Sequence, residues 1–142
     1  SHLEELNLTG NALTFIPQEF TKLTKLTTLK LARNDITTQP GAFILNLTNL
    51  EYLDLRFNDI KSWPSNLNKM NSLRYLDLGY NELRDVSFGI IGNLKSSEVF
   101  PNLTYLDLSS NYISSFPTRI FRYVNLKSLL LNNNAIKNIP RE

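Results

Sequence analysis

The sequence contains no cysteine, and it has one histidine, one methionine and one tryptophan among 142 residues. The absence of cysteine excludes disulfide bonds, thiolate metal sites and a cysteine nucleophile. The single histidine, His2, precedes the repeated part of the sequence, so a Ser-His-Asp triad has no credible general base. No glycine-rich phosphate loop is present. We therefore expect no enzyme activity, no cofactor and no metal.

The sequence also lacks a strong excess of charge and a long apolar run. Its formal net charge is +2, and its basic residues are scattered rather than clustered. This balance argues against nucleic acid or an anionic membrane as the main partner. No apolar stretch is long enough to cross a bilayer, so we expect no direct membrane insertion of this segment.

One nine-residue pattern occurs six times along the chain. It reads L-x-x-L-x-L-x-x-N and its copies begin at Leu3, Leu26, Leu50, Leu73, Leu103 and Leu126. Successive copies begin 23, 24, 23, 30 and 23 residues apart. Self-similarity at such a period is typical of a solenoid, in which each copy is one structural unit that stacks on the next.

The pattern resembles the leucine-rich repeat family, and the resemblance covers essentially the whole chain as one domain, residues 1–142. It implies an α/β fold: a right-handed solenoid with a parallel β-sheet on its concave side and short helical or irregular segments on its convex side. The alternation L-x-L within each copy fits a short strand with one buried face. We expect Phe20 and Leu23, and in later copies Leu67 with Met70 and Ile120 with Val124, to bury the convex segments.

An asparagine ends every copy, and the resemblance implies a structural role for it. In this family the amides bond the turn backbone and link neighbouring repeats into a ladder, and a buried amide left unpaired costs about 1–3 kcal/mol. The expected ladder consists of Asn11, Asn34, Asn58, Asn81, Asn111 and Asn134.

Two copies and both ends depart from the pattern. Gln39-Pro40-Gly41 replaces the usual apolar residue and proline in the second copy, and the fourth copy is longer by about seven residues. We expect residues Asn93–Glu98 to bulge outward, either as a tolerated insertion or as a loop that contacts a partner. Because neither end carries a polar cap, we expect a fragment of a longer array or ends covered by adjoining repeats or domains.

The residues between the leucines form columns on the concave face, because neighbouring strands lie about 4.8 Å apart. In the third to fifth copies one column carries tyrosine and another carries aspartate. Exposed aromatic residues beside charge are typical of binding surfaces. We expect Lys30, Arg56 or Arg74 to neutralise the aspartates, and a basic partner to neutralise them further. The expected partner-binding residues are Tyr52, Asp54, Arg56, Phe57, Arg74, Tyr75, Asp77, Tyr80, Tyr105 and Asp107.

Other interpretations of these columns remain open. The string Y-L-D-L is common in this family and often only decorates the sheet. Asp54 and Asp77 on adjacent strands raise the remote alternative of a hydrolase of the retaining-glycosidase type, although a flat sheet offers no pocket to exclude water. A calcium site along the same column would lack a closed cage of oxygen ligands.

Three N-glycosylation sequons begin at Asn7, Asn46 and Asn102. They matter only in a secretory compartment. We expect Asn46 to lie where a glycan is harmless, and Asn7 to lie on the concave face, where a glycan would obstruct it.

The function that the resemblance implies is non-enzymatic recognition of a protein or peptide through the concave face. Two placements remain open. We favour part of a larger receptor or adhesion protein at the cell surface, because Pro40-Gly41-Ala42-Phe43 resembles repeats of Toll-like receptors. The alternative is a cytosolic signalling scaffold, because 23-residue repeats with Ile-Pro or Phe-Pro resemble those of small-GTPase-associated proteins.

Overall fold

The computed structural model describes residues 1–38, 41–86 and 100–141. Within them six three-residue strands form one sheet in the order of the sequence, and every neighbouring pair is parallel. This parallel sheet, with one strand for each repeat, confirms the expected α/β leucine-rich solenoid. Crossover connections between parallel strands are right-handed as a rule. The strands are β1 (Glu5–Asn7), β2 (Thr28–Lys30), β3 (Tyr52–Asp54), β4 (Tyr75–Asp77), β5 (Tyr105–Asp107) and β6 (Ser128–Leu130).

The pairing of the strands follows the repeat residue by residue. Leu53 is the central residue of β3 and lies opposite Leu29 of β2 on one side and Leu76 of β4 on the other. The same in-register pairing continues through β5 and β6. Because side chains alternate between the two faces of a strand, these central leucines point into the core and their neighbours line the concave face. The register therefore fixes the concave columns.

The convex side carries short 3-10 helices of five residues each. Pro17, Pro64 and Pro117 stand immediately before three of them, with φ between −77° and −63°, and Gly41 precedes the other one among the described residues. A fixed φ near −65° suits the start of a helical turn, which explains the proline. The helices are Gln18–Lys22, Ala42–Asn46, Ser65–Lys69 and Thr118–Arg122.

The convex segments bury their apolar side chains to different extents, and in the helix Gln18–Lys22 no residue is fully buried: Phe20, like Leu23 just after it, is only partly buried. Leu67 and Met70 are buried, as the sequence predicts. The corresponding prediction for Val124 is wrong, because that side chain is 65% exposed and Tyr123 is buried in its place. The i, i+3 spacing of a 3-10 helix explains the difference, since it aligns Tyr123, and not Val124, with Ile120.

Five of the six asparagines that end the nine-residue pattern bond across to the preceding repeat. The Asn81 Oδ1 accepts a hydrogen bond from the Ile60 N–H at 3.0 Å, and its Nδ2 donates to the carbonyls of Leu55 (2.9 Å) and Leu78 (3.1 Å). One buried amide thus makes hydrogen bonds to three backbone groups, one N–H and two carbonyls. The same three-way pattern occurs at Asn34, Asn58, Asn111 and Asn134.

Asn11 departs from this pattern. Its amide is exposed and donates only to the Leu8 carbonyl of its own repeat, at 2.9 Å. No repeat precedes it within the described residues, so its Oδ1 lacks the N–H that the other amides receive. Asn11 therefore does not link two repeats in this structure.

A second row of polar side chains was not anticipated from the sequence. It occupies the position just before the first leucine of a repeat, where Asn49 donates to the Thr24 carbonyl at 2.7 Å and Asn125 to the Pro101 carbonyl at 2.6 Å. Each bond joins one repeat to the turn of the repeat before it. These bonds are exposed, and water competes for them.

The described helices include none that is long and apolar enough to cross a membrane. The departures at Gln39 and Pro40 and the expected loop Asn93–Glu98 lie outside the described residues.

Candidate functional site

Three tyrosines form a continuous stack on the concave face. Tyr52, Tyr75 and Tyr105 are the first residues of β3, β4 and β5 and are paired in register. Their ring centroids are 4.1 Å apart between the first two and 4.4 Å between the last two, with interplanar angles of 7° and 4°. These distances are close to the spacing of neighbouring strands, so the sheet itself imposes the stack. We call these three residues the tyrosine ladder.

A second, shorter stack lies where the strands have ended. The Phe57 and Tyr80 rings are 4.2 Å apart at an interplanar angle of 15°, and the Arg33 guanidinium lies 4.6 Å from the centre of the Phe57 ring. Each of the three residues immediately precedes the asparagine that ends its copy of the nine-residue pattern, and each has a φ of 54° to 55°. A left-handed conformation costs an L-residue about 1 kcal/mol, so the turn holds these side chains at some cost in stability. Tyr80 is half exposed.

The aspartates between the two stacks are less accessible than the sequence predicts. Asp54 and Asp77 are 2% and 3% exposed, although they occupy the concave face. Each carboxylate Oδ1 accepts a hydrogen bond from the backbone N–H two residues later, at 3.1 Å from Arg56 and 2.9 Å from Gly79. Asp107 makes the same bond to the Ser109 N–H at 2.7 Å and remains partly exposed. These bonds draw the carboxylates onto the turn, where the flanking side chains cover them.

The cations of the region are distributed differently from the prediction. The Arg56 Nε lies 3.1 Å from the Asp54 Oδ2, as expected. Arg74 does not reach the aspartates, because its Nε lies 3.4 Å from the Glu51 Oε2 on the flank of the sheet. Lys30 bonds Glu5 at 2.7 Å, diagonally across the sheet, although Asp54 is its direct neighbour in the register of β2 and β3. Arg56 therefore makes the expected contact with an aspartate, and Lys30 acts on Asp54 only through its charge, without an ion pair.

The protonation equilibria of the site reflect burial. Burial, together with the charges of Asp107 and Asp54, raises the pKa of Asp77 to about 6, although the Gly79 N–H and Arg56 oppose the rise. Burial also raises the pKa of the Tyr75 hydroxyl, with contributions from its bond to Tyr52 and from Asp77. An ionised carboxylate at position 77 is thus incompletely stabilised by the protein itself.

The predicted hydrolase pair does not have the geometry of an active site. Asp54 is held by Arg56, and burial raises the pKa of Asp77. Both carboxylates are nearly inaccessible, however, so a glycosidic oxygen could not reach between them. Within the part of the chain that the structure describes, no three His, Cys, Asp or Glu residues are grouped so as to hold a metal ion.

Three residues of the site were missed by the sequence interpretation. The first two are Gly79 and Ser109, at the base of the region. A Cβ built on Gly79 would be 3.1 Å from the Asp77 Oδ1 and 3.2 Å from the Ser109 Oγ. The third missed residue, Arg33, covers one end of the shorter stack. The column Arg33-Phe57-Tyr80 was visible in the sequence, but only the register shows that a cation and two rings are stacked on one another.

The sequon asparagines occupy different environments. Asn46 is exposed at the last residue of the helix Ala42–Asn46, on the convex side. Asn7 ends β1 and its Oδ1 accepts the Thr9 N–H at 3.0 Å. The Asn102 Nδ2 donates to the Asn71 carbonyl at 2.7 Å. Whether any of the three carries a glycan stays a prediction.

A family model described as leucine rich repeat matches residues 1–60, 25–83 and 101–142 of the chain. The chain belongs to the leucine-rich repeat family. It is 31% identical to leucine-rich repeat-containing G-protein coupled receptor 5 of Xenopus tropicalis and 36% identical to the human volume-regulated anion channel subunit LRRC8A. Both alignments cover 99% of the present chain. It is 33% identical to an adenylate cyclase of Podospora anserina over 94% of its length.

Leucine-rich repeat proteins of known structure give the same picture. The chain superposes on a leucine-rich repeat protein of Leptospira interrogans with a TM-score of 0.83 at 34% identity, covering 97% of the chain and 33% of that protein. It superposes with a TM-score of 0.69 at 29% identity on the ectodomain of the Arabidopsis thaliana membrane receptor kinase GASSHO1/SCHENGEN3, solved in complex with CASPARIAN STRIP INTEGRITY FACTOR 2. That match covers 93% of the chain and 16% of the receptor.

The leucine-rich repeats are a shared part of otherwise different proteins. The chain spans 18% of the G-protein coupled receptor, 14% of the channel subunit and 7% of the cyclase. The family and its receptor relatives are consistent with a protein-interaction module and point to non-enzymatic recognition.

Proposed function

We propose that the chain is a recognition module that binds a protein or peptide through the concave face of β3 to β5. The observation that carries the proposal is the tyrosine ladder together with the Phe57–Tyr80 stack. Aromatic side chains offer a large contact area at low entropic cost, and stacking holds these rings in place before a ligand arrives. The stacked rings are therefore a pre-organised surface.

The accessibility of the region supports the proposal. Tyr80 is 50% exposed, and Tyr75 and Tyr105 are partly exposed although neighbouring rings cover their faces. None of these rings packs into the leucine core, which lies on the other face of the sheet. A substitution here should thus alter the surface without altering the fold.

The proposal is tested with peptides selected from a random dodecapeptide display library on the immobilised protein. The double variant Tyr75→Ala/Tyr80→Ala is expected to lose binding of these peptides, with Kd weakened at least about a hundredfold, because two central aromatic contacts at about 2 kcal/mol each are removed. Isothermal titration calorimetry measures Kd, and circular dichroism checks that the double variant stays folded.

Tyr112→Ala is the matched control. Tyr112 is 54% exposed, comparable to Tyr80, but it lies beside Arg84 in the turn beyond the ladder asparagine rather than in either stack. The control is expected to bind normally. A folded double variant that binds the selected peptides as well as the wild type does would exclude the concave centre as the recognition surface.

We further propose that the full-length protein is a cell-surface receptor or adhesion protein. The G-protein coupled receptor relative and the receptor-kinase ectodomain support this placement, as does the exposed sequon at Asn46. The sequence that flanks the repeats in the full-length protein tests it. A signal peptide and a membrane-spanning helix are expected, and repeats joined to a cytosolic signalling domain without them would favour a scaffold.

A further inference from the structure

The two ends of the concave site differ in whether their aromatic rings and carboxylates have cationic neighbours from the chain itself. At the β2 and β3 end the chain supplies its own cations. The Lys30 Nζ lies 6.0 Å from the Tyr52 ring and the Arg33 guanidinium 4.6 Å from the Phe57 ring. Arg56 pairs with Asp54 in the same repeat. Every ring stack and every carboxylate at this end thus has a positive partner.

No such partner is found at the β5 end. The residues that follow in the columns are Ser128 beside Tyr105 and Leu130 beside Asp107, and neither is charged. Tyr80 is followed in its column by Ser110. Among the described residues, no ion pair or cation–π contact includes Asp77, Asp107, Tyr80 or Tyr105. Within residues 1–38, 41–86 and 100–141, the outer faces of both stacks and the last carboxylate have no cation against them.

Oxygen atoms converge at this end. The Asp77 Oδ1, the Ser109 Oγ and the Asp107 Oδ1 all lie within 3.1 to 3.4 Å of the point where Gly79 lacks a Cβ. Asp107 is the more accessible of the two carboxylates, and its Oδ1 is bound to the Ser109 N–H. The Tyr105 hydroxyl also bonds the Asp107 carboxylate, which remains partly exposed. The surface here is apolar at its rings and negative at its base.

We propose that the partner bound by the concave face carries an arginine side chain whose guanidinium pairs with Asp107 and lies against the free face of the Tyr105 ring. Arginine fits better than lysine, because a planar guanidinium can stack on a ring and pair with a carboxylate at the same time. Within this chain Arg33 does the first and Arg56 does the second. The inference rests on the proposed recognition function and names the chemistry of its partner.

The test uses the peptides selected on the wild-type protein. We expect them to share one arginine. Replacing it with citrulline, which has nearly the same shape but no charge, should weaken Kd for the wild type about tenfold or more, the loss of one charge-assisted hydrogen bond. On Asp107→Asn the same replacement should change Kd less than about twofold, because the charge partner is absent.

Asp59→Asn is the matched control for the change in net charge. Asp59 is exposed and lies on the turn beyond the ladder asparagine, away from both stacks. On this variant citrulline should cost as much as on the wild type. Asp107→Asn keeps an oxygen for the Ser109 N–H, and a thermal melt verifies its fold.

The outcomes separate the two proposals. Selected peptides without a shared arginine, or an equal citrulline effect on wild type and Asp107→Asn, would overturn the arginine site. If such peptides still lost binding to Tyr75→Ala/Tyr80→Ala, the recognition function would stand. Failure to select any peptide that distinguishes the wild type from this double variant would overturn both.

Discussion

Two rows of polar side chains run across the repeats, one of amides and one of carboxylates, and they are built differently. The buried amide of Asn81 uses both of its ends to join two repeats, and it is neutral. The carboxylate of Asp77 is buried to a similar extent, but its Oδ1 bonds only the backbone of its own turn, and it carries a charge. The amide row holds the array together, whereas the carboxylate row adds a charge that the protein only partly neutralises.

The difference teaches how repetition should be interpreted. Both rows recur at the same period, so periodicity alone does not separate structural residues from residues available to a partner. The direction of the hydrogen bonds does separate them: bonds between repeats stabilise the array, while bonds within one turn only orient a side chain. Burial does not decide the matter, because Asn81 and Asp77 are both buried.

The largest expected effect on stability is at the amide row. Asn81→Ala should lower the free energy of unfolding by about 2–4 kcal/mol, because it removes the acceptor of the buried Ile60 N–H and one of the two amide donors to each of the Leu55 and Leu78 carbonyls. Urea denaturation followed by circular dichroism measures the change.

Asn11→Ala provides the comparison within the same column. Its amide is exposed and bonds only its own repeat, so the expected change is below about 0.5 kcal/mol. Equal losses for the two variants would show that bonds between repeats are not what stabilises the array.

A smaller effect of opposite sign is expected at the carboxylate row. The folded state raises the pKa of Asp77 from 3.8 to about 6, so the folded protein binds more protons than the unfolded chain between these values. The contribution of Asp77 to stability is therefore full below pH 3.8 and is lost as the pH rises through about 6. Asp77→Asn should raise the free energy of unfolding at pH 7 by about 1–2 kcal/mol and remove this loss.

The measurement is the free energy of unfolding from urea denaturation at pH 4, 5, 6 and 7 for the wild type and Asp77→Asn. Asp59→Asn removes one negative charge at an exposed position and serves as the control. If the wild type and Asp77→Asn showed parallel pH profiles, the burial of an unbalanced charge at position 77 would be contradicted.

The fold follows from the sequence because leucine and asparagine recur at fixed positions. A register set by Leu29, Leu53 and Leu76 places every concave side chain in a column, so the alignment of Tyr52 with Tyr75 could be predicted. Here the period alone is sufficient, since backbone pairing in a parallel sheet leaves little freedom.

The pairing of charges could not be predicted in the same way. Arg74 bonds Glu51 and Lys30 bonds Glu5, although both had been expected to act on the aspartates. A long side chain chooses among neighbours by small differences in distance and solvation, which the period does not encode. The burial of Asp54 and Asp77 was missed for a related reason: it depends on a local bond from the carboxylate to the following turn.

The most direct measurement of the recognition surface is amide chemical-shift mapping of the ¹⁵N-labelled protein with a peptide selected on the wild type. The account predicts the largest shifts at the amides of Arg56, Gly79 and Ser109, which bond the carboxylate row beneath the stacked rings. Shifts concentrated instead in the convex helices, such as Thr118–Arg122, would contradict it.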